Sequence, residues 1–154
     1  MDVKPTLKVV NQADISGYRG VIDEQKYQRL VGAPESMTTD RIAIGRAVYK
    51  PGAHEQLHWH PIEACYYVIS GHATVRNFNG DEFEVGPGSV IYAPAGIAGA
   101  HEWTVKEALE LLDIRATPDK NRKIQFTVDP KSKRSYIDLE DLGYRDAISF
   151  KSHY

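Results

Sequence analysis

The sequence predicts an all-β domain, built as a small barrel or a two-sheet sandwich, and three observations support this fold class. Short runs of alternating or β-branched residues follow one another, with turn signals roughly every 6 to 12 residues. Glycine or proline ends nearly every run, and Asn79-Gly80 is the strongest short hairpin signal. No stretch shows the apolar period of about 3.6 residues that marks a long helix.

The strands can be followed in chain order through the middle of the sequence. The first ends at Pro51-Gly52, and Pro61 ends the second because proline has no amide proton for a strand ladder. The third is rich in aromatic and β-branched side chains, which favour strands. The predicted strands cover residues 41–50, 56–60, 64–70, 72–78, 81–85, 89–93, 100–105, 108–116 and 124–128.

The length of 154 residues favours one domain, residues 1–154, with a core large enough to be stable. We expect the barrel core to span about residues 41–128. Residues 1–40 precede it as an N-terminal lead of short strands and loops, and residues 129–154 follow as a charged tail. One or two helical turns are expected near residues 138–143.

The composition excludes several classes of partner. A net charge of −2, with 26% charged and 42% hydrophobic residues, gives no reason to expect nucleic acid or an anionic membrane as partner. No apolar run approaches the ~20 residues of a membrane span, and the first residues lack the apolar core of a signal peptide. A single cysteine, Cys65, excludes an internal disulfide and a cysteine-rich zinc module. We expect a cytoplasmic protein.

Two histidines one residue apart, His58 and His60, indicate half of a metal site. Side chains alternate along a strand, so both imidazoles point to the same face. Neutral imidazoles are common ligands of divalent metals. The alternative is that both histidines are structural and bind no metal. We also expect three other histidines to be structural and to lie at the rim or surface: His54, His72 and His153.

The residues around this pair resemble the first motif of the cupin family. That motif has a glycine, five residues, His-x-His, a glutamate three or four residues later, and a closing glycine. Gly52, His58, His60 and Gly71 stand at the matching offsets.

A second segment resembles the second cupin motif, which is a glycine, five residues, Pro-x-Gly and a histidine. Gly88, Pro94 and Gly96 match it, and His101 follows. The two motifs together cover roughly residues 42 to 115. The resemblance implies a cupin-type β-barrel, also described as a jelly roll, with short extra segments at both termini.

The chain departs from the first motif at its carboxylate. The family usually carries a glutamate ligand six residues before Gly71, but Ala64 occupies that position and Glu63 comes one residue early. A shift of one residue turns a strand side chain to the opposite face. Glu63 can therefore be a ligand only if a bulge or the turn at Pro61 changes the register.

The chain also departs from the second motif at its histidine. The family has a histidine three residues after Gly96, where this chain has Gly99. His101 comes two residues later, and an insertion of two residues keeps the strand parity. The resemblance therefore implies a metal site formed by His58, His60 and His101, with coordination positions left open.

Parity also suggests which side chains line the pocket. If Ala64 faces inward, Tyr66 does too, either as a packing aromatic or as a hydrogen-bond donor to substrate. Gln56 shares the parity of His58 and is expected to donate to a bound oxygen.

Three functions follow from the resemblance. The expected one is a dioxygenase that holds Fe(II) with three histidines and oxidises a small anionic or chelating substrate such as a diketone or an aromatic acid, and the other two are alternatives. The second is a redox-inert cupin that uses Zn, Ni or Mn as a Lewis acid for cyclisation, isomerisation, decarboxylation or elimination. The third is a ligand-binding or sensor protein without turnover. We expect a homodimer that acts on a small-molecule substrate.

Overall fold

The computed structural model describes residues 2–33, 36–116, 125–137 and 148–150. The described residues form short strands and two single 3-10 turns, Gln12–Asp14 and Ile97–Gly99. The strands are β1 (Tyr18–Arg19), β2 (Gln25–Val31), β3 (Ala43–Tyr49), β4 (His54–Trp59), β5 (Ala64–Ser70), β6 (Ala73–Asn77), β7 (Glu82–Val85), β8 (Val90–Ala93), β9 (His101–Val105), β10 (Leu109–Arg115), β11 (Phe126–Val128), β12 (Ser135–Ile137) and β13 (Ile148–Phe150).

The strands form two antiparallel sheets. The first sheet has the order β1-β2-β3-β10-β5-β8, and the second has the order β13-β12-β11-β4-β9-β6-β7. Successive strands from β3 to β6 alternate between the sheets, so their connections cross from one layer to the other. This arrangement is a jelly roll, and it confirms the all-β, cupin-type fold class.

The core lies between the two sheets. Strands β3 and β10 alternate strictly between buried and half-buried residues, so each gives one face to the interior. The second sheet contributes Trp103, which is 2% exposed, and the first contributes Leu109 and Leu111. Burying apolar side chains of this size stabilises the fold by roughly 1.5–3 kcal/mol each.

A glycine in β3 lets a tyrosine cross the inner face of the first sheet. Tyr27 of β2 reaches over β3 to donate a hydrogen bond to Asp113 of β10, with 3.3 Å between Oη and Oδ2. Gly45 lies between them in register with Asp113, and a Cβ atom there would overlap the Tyr27 phenol. The absence of a side chain at Gly45 therefore permits a buried polar contact between non-adjacent strands.

The predicted strands agree with the observed ones, and their ends differ by one or two residues. The third predicted strand, residues 64–70, coincides with β5, whereas β4 begins at His54, two residues before the predicted start. The N-terminal lead contains β2, which at seven residues is longer than the short strands expected there. The helical turns expected at residues 138–143 lie outside the described residues. Within the described part of the chain, no helix has the length and apolarity needed to span a membrane.

Candidate metal centre

Three histidines meet inside the barrel, on the inner face of the second sheet. His58 lies in β4, His60 follows the last residue of that strand, and His101 begins β9. The pairing of β4 with β9 places His58 directly opposite His101. One nitrogen of each ring lies within 4.8 Å of the other two, and the three residues are 1%, 3% and 4% exposed.

Backbone carbonyls orient two of the rings. The Nδ1 atom of His58 lies 2.6 Å from the Gln56 carbonyl oxygen, and that of His101 lies 2.7 Å from the Gly99 carbonyl oxygen. A carbonyl oxygen only accepts, so in each ring Nδ1–H is the donor, and in the neutral ring Nε2 carries the lone pair. In metal sites, a hydrogen bond from the ring nitrogen that does not bind the metal fixes the tautomer of the histidine.

A short turn absorbs the two extra residues before His101. The amide of Gly96 donates to the His60 carbonyl oxygen at 2.8 Å, which ties the two motifs together. The 3-10 turn Ile97–Gly99 then leads directly into β9. A side chain on Gly99 would overlap the Pro94 carbonyl oxygen, so the turn requires a residue without a Cβ atom. The insertion therefore leaves His101 facing inward, as parity predicted.

The donor set suits a divalent metal. Three imidazoles on one face, each nearly excluded from water, form the protein half of an open metal site. Imidazole binds Zn, Fe, Ni and Cu well, so the three rings do not by themselves select one ion. The residues present thus fit the metal that the cupin resemblance implies.

Tyr66 of β5 faces the histidines from the opposite sheet. Its hydroxyl lies 3.2 Å from His101 Nε2, and the residue is 4% exposed. Burial raises the pKa of the Tyr66 phenol well above its usual value, and the negative charge of Asp113 adds to this effect. The phenol therefore keeps its proton and donates a hydrogen bond beside the atoms that would bind a metal.

Glu55 is a site residue that the sequence reasoning missed. It is 2% exposed, and its Oε1 atom lies 3.6 Å from His58 Nε2. Its other oxygen, Oε2, accepts a hydrogen bond from Tyr49 at 3.0 Å. The strict alternation assumed for β4 gave no reason to place Glu55 and His58 on the same face. The predicted strand began at residue 56, one residue after Glu55, so no sequence signal marked Glu55 as facing inward.

Gln56 lies elsewhere than parity predicted. Its side chain is exposed, so it does not share the face of His58. The register of β4 against β9 shifts between Glu55 and His58, and this shift reverses the parity of the residues before it. Gln56 contributes to the site through its backbone carbonyl, which holds the His58 ring.

Glu63 does not join the histidine cluster. It is exposed and accepts a hydrogen bond from the Tyr92 hydroxyl at 2.6 Å. Ala64, the position of the glutamate in the cupin motif, is buried and brings no ligand. The register change that Glu63 would have needed occurs in the preceding strand instead, where it brings Glu55 inward.

A buried ion pair stands on the inner face of the first sheet. Asp113 accepts two hydrogen bonds from Arg115, at 3.1 and 3.2 Å, and both residues are 1% exposed. Burial by itself would lower the pKa of Arg115, but the Asp113 carboxylate beside it raises the pKa above its usual value. Asp113 pairs in register with Tyr66, so the charged pair adjoins the site.

Comparisons with known proteins agree with this geometry. The family model of the cupin domain matches residues 45–115, which include all three histidines. No curated protein matches the chain in sequence. Similar solved structures include the polyketide cyclase RemF from Streptomyces resistomycificus, with 22% identity and a TM-score of 0.63 over 71% of this chain and 79% of that one.

Two further structures show the same fold. The DMSP lyase DddQ from Ruegeria pomeroyi DSS-3 is 17% identical, with a TM-score of 0.64 over 77% of this chain and 64% of that one. KdgF from Halomonas sp. is 17% identical, with a TM-score of 0.62 over 75% of this chain and 97% of that one. This chain therefore spans just under two thirds of the lyase. The two sequence motifs and the family model lead to one conclusion: residues 45–115 match the cupin domain, and the chain has the cupin fold of these structures.

Proposed function

We propose that this protein is a metal-dependent enzyme whose three histidines hold a divalent ion that acts as a Lewis acid on a small anionic or chelating substrate. The observation that carries the proposal is the protonated phenol of Tyr66, 3.2 Å from His101 Nε2 and buried with the three imidazoles. A metal centre polarises a substrate oxygen, and an adjacent proton donor stabilises the charge that develops there, which can assist cyclisation, isomerisation, decarboxylation or elimination.

The roles of the residues follow from their positions. His58, His60 and His101 would hold the ion, which when bound polarises a substrate oxygen. Tyr66 would donate its hydroxyl proton to that oxygen or to the atom next to it. Trp103 packs against the Tyr66 ring, with 5.6 Å between ring centroids, and helps to exclude water from the pocket.

The similar structures support a redox-inert reaction. RemF is a cyclase and DddQ is a lyase. Both are less than 25% identical to this chain, so they share its fold and only suggest the class of chemistry. The second candidate is an Fe(II) dioxygenase, which is favoured by the three imidazoles and by the alanine at position 64.

The test compares metal forms of one protein. Metal-depleted protein is reloaded with Zn, Mn, Ni or Fe(II) under nitrogen and offered β-diketones, catechols, hydroxybenzoates and small carboxylates, with and without O₂. We expect substrate to be consumed by the Zn or Mn form without O₂, and this turnover to be lost in Tyr66→Phe. O₂ uptake confined to the Fe(II) form would select the dioxygenase instead. Failure of the wild-type protein to bind any of these ions would contradict both candidates.

A further inference from the structure

We propose that Glu55 is a fourth metal ligand, so that this chain supplies from β4 the carboxylate that Ala64 lacks. The inference rests on the metal centre of the proposed function and adds one specific donor to it. It also differs from the sequence expectation, in which the candidate carboxylate was Glu63.

The distance between Glu55 and His58 suits two ligands of one ion. Two donor atoms, each about 2.1 Å from a zinc-sized ion at tetrahedral to octahedral angles, lie about 3.0 to 3.4 Å apart. The observed distance from Glu55 Oε1 to His58 Nε2 is 3.6 Å. Among the described residues, the ligand atoms within 4.8 Å of one another belong to the three histidines alone, so the carboxylate has to turn toward His60 and His101 to share their ion. The oxygen also faces the ring nitrogen that keeps its lone pair.

The carboxylate is held in place by a chain of buried groups. Tyr49 donates to Glu55 Oε2, and Gln25 Nε2 donates to the Tyr49 hydroxyl at 2.6 Å. The Oε1 atom of Gln25 accepts in turn from the Val21 amide at 2.7 Å. Tyr49 and Gln25 are 4% and 1% exposed. Supporting contacts of this kind orient the ligands of metal sites, and here they hold one oxygen and leave the other directed at His58.

A β-bulge explains how Glu55 and His58 come to the same face. Glu55 pairs with Trp103, and His58 pairs with His101. The interval is three residues along β4 and two along β9, so β4 carries one extra residue. In a regular strand, residues three apart face opposite sides. The extra residue therefore turns Glu55 into the site and turns Gln56 out.

Charge supports the same assignment. A carboxylate at 2% exposure has lost most of its hydration, which is costly for an ion. A divalent cation between the carboxylate and the imidazoles would balance that charge. The ligand set would then be three imidazoles and one carboxylate, which suits Zn, Mn or Fe(II).

The experiment measures metal binding, so it needs no substrate. Co²⁺ is added to metal-depleted wild-type protein, Glu55→Gln and Glu63→Gln, and its affinity is determined by competition with a chelator. The visible bands of Co²⁺ report its ligand set. For Glu55→Gln we expect affinity to fall by at least about tenfold and the bands to shift, because a charged donor is lost. Glu63→Gln is the matched control, because it removes an exposed carboxylate nearby, and it should behave like the wild type.

Each outcome has a separate meaning. Wild-type affinity and unchanged bands in a folded Glu55→Gln would overturn the assignment of Glu55 and leave the three-histidine centre intact. A wild-type protein that binds no Co²⁺ would instead overturn the proposed function itself.

Circular dichroism checks whether each variant is folded. If Glu55→Gln does not fold, Tyr49→Phe keeps the carboxylate but removes its anchor. Tyr49→Phe should then bind Co²⁺ more weakly, and wild-type affinity in that variant would count against the proposal.

Discussion

Strands β10 and β4 belong to different sheets and differ in the regularity of their alternation. Strand β10 alternates regularly, and its inward residues are Leu109, Leu111, Asp113 and Arg115. Strand β4 carries an extra residue between Glu55 and His58, and buried residues follow one another directly at its end. The regular strand holds its polar side chains in an internal ion pair. The irregular strand directs Glu55 and His58 at the candidate metal site and leaves His54 and Gln56 exposed.

The comparison teaches that parity is reliable only where the strand is regular. On β5, which pairs with β10, parity placed Tyr66 inward as predicted. On β4 the same reasoning placed Gln56 inward, and this was wrong because of the bulge. Bulges are frequent next to functional sites because they re-aim side chains.

The largest expected effect comes from removing a histidine at the bulge. His58→Ala should abolish stoichiometric metal binding, because two ring nitrogens cannot replace three at a buried site. Metal content per protein chain, measured by elemental analysis after dialysis, checks this. His54→Ala is the control, since the His54 side chain is 51% exposed and lies 3.3 Å from Glu102 rather than in the cluster. Equal metal content in both variants would contradict the assignment.

A change in the regular strand should lower stability without removing the metal. Asp113→Asn leaves the buried Arg115 without its negative partner, and we expect the free energy of unfolding to fall by about 3–5 kcal/mol. Urea unfolding measures the loss, and the Co²⁺ content of the folded variant should stay at one ion per chain. A loss of metal larger than the loss of folded protein would show that the two strands are not independent.

Removing the Tyr66 hydroxyl should affect activity more than folding. Tyr66→Phe keeps the ring that packs on Trp103 but removes the donor beside His101. We expect kcat on the substrate identified in the metal-form screen to fall by about 10²-fold or more, because a positioned proton donor is lost. Metal affinity should remain close to that of the wild type. Unchanged kcat would mean that the phenol only packs.

The smallest effect is expected at Gln56. Gln56→Ala removes an exposed side chain and keeps the carbonyl that holds His58, so stability should change by less than about 0.5 kcal/mol. Thermal unfolding and Co²⁺ titration check this. A marked loss of metal affinity would show that the side chain reaches the site after all.

The homodimer, the cytoplasmic location, the division of the chain into lead, core and tail, and the identity of the metal stay predictions. Size-exclusion chromatography with light scattering would settle the oligomeric state directly.

The sequence by itself was enough to predict the all-β fold and to name the three histidines that the structure brings together. Turn residues, alternation and the two cupin motifs are local signals, because each depends on residues that are close together in the chain. His101 faces inward as expected, because the 3-10 turn Ile97–Gly99 absorbs the two extra residues before β9, and its role as a ligand stays a prediction.

Only the tertiary structure decided which carboxylate lies beside His58. The bulge in β4 exists because of how that strand pairs with β9, and pairing register is a relation between segments distant in sequence. The anchoring of Glu55 likewise depends on Tyr49 of β3 and Gln25 of β2, which meet only after the sheets have packed. One extra residue in a strand is invisible to a local pattern, yet it decides which carboxylate faces the histidines.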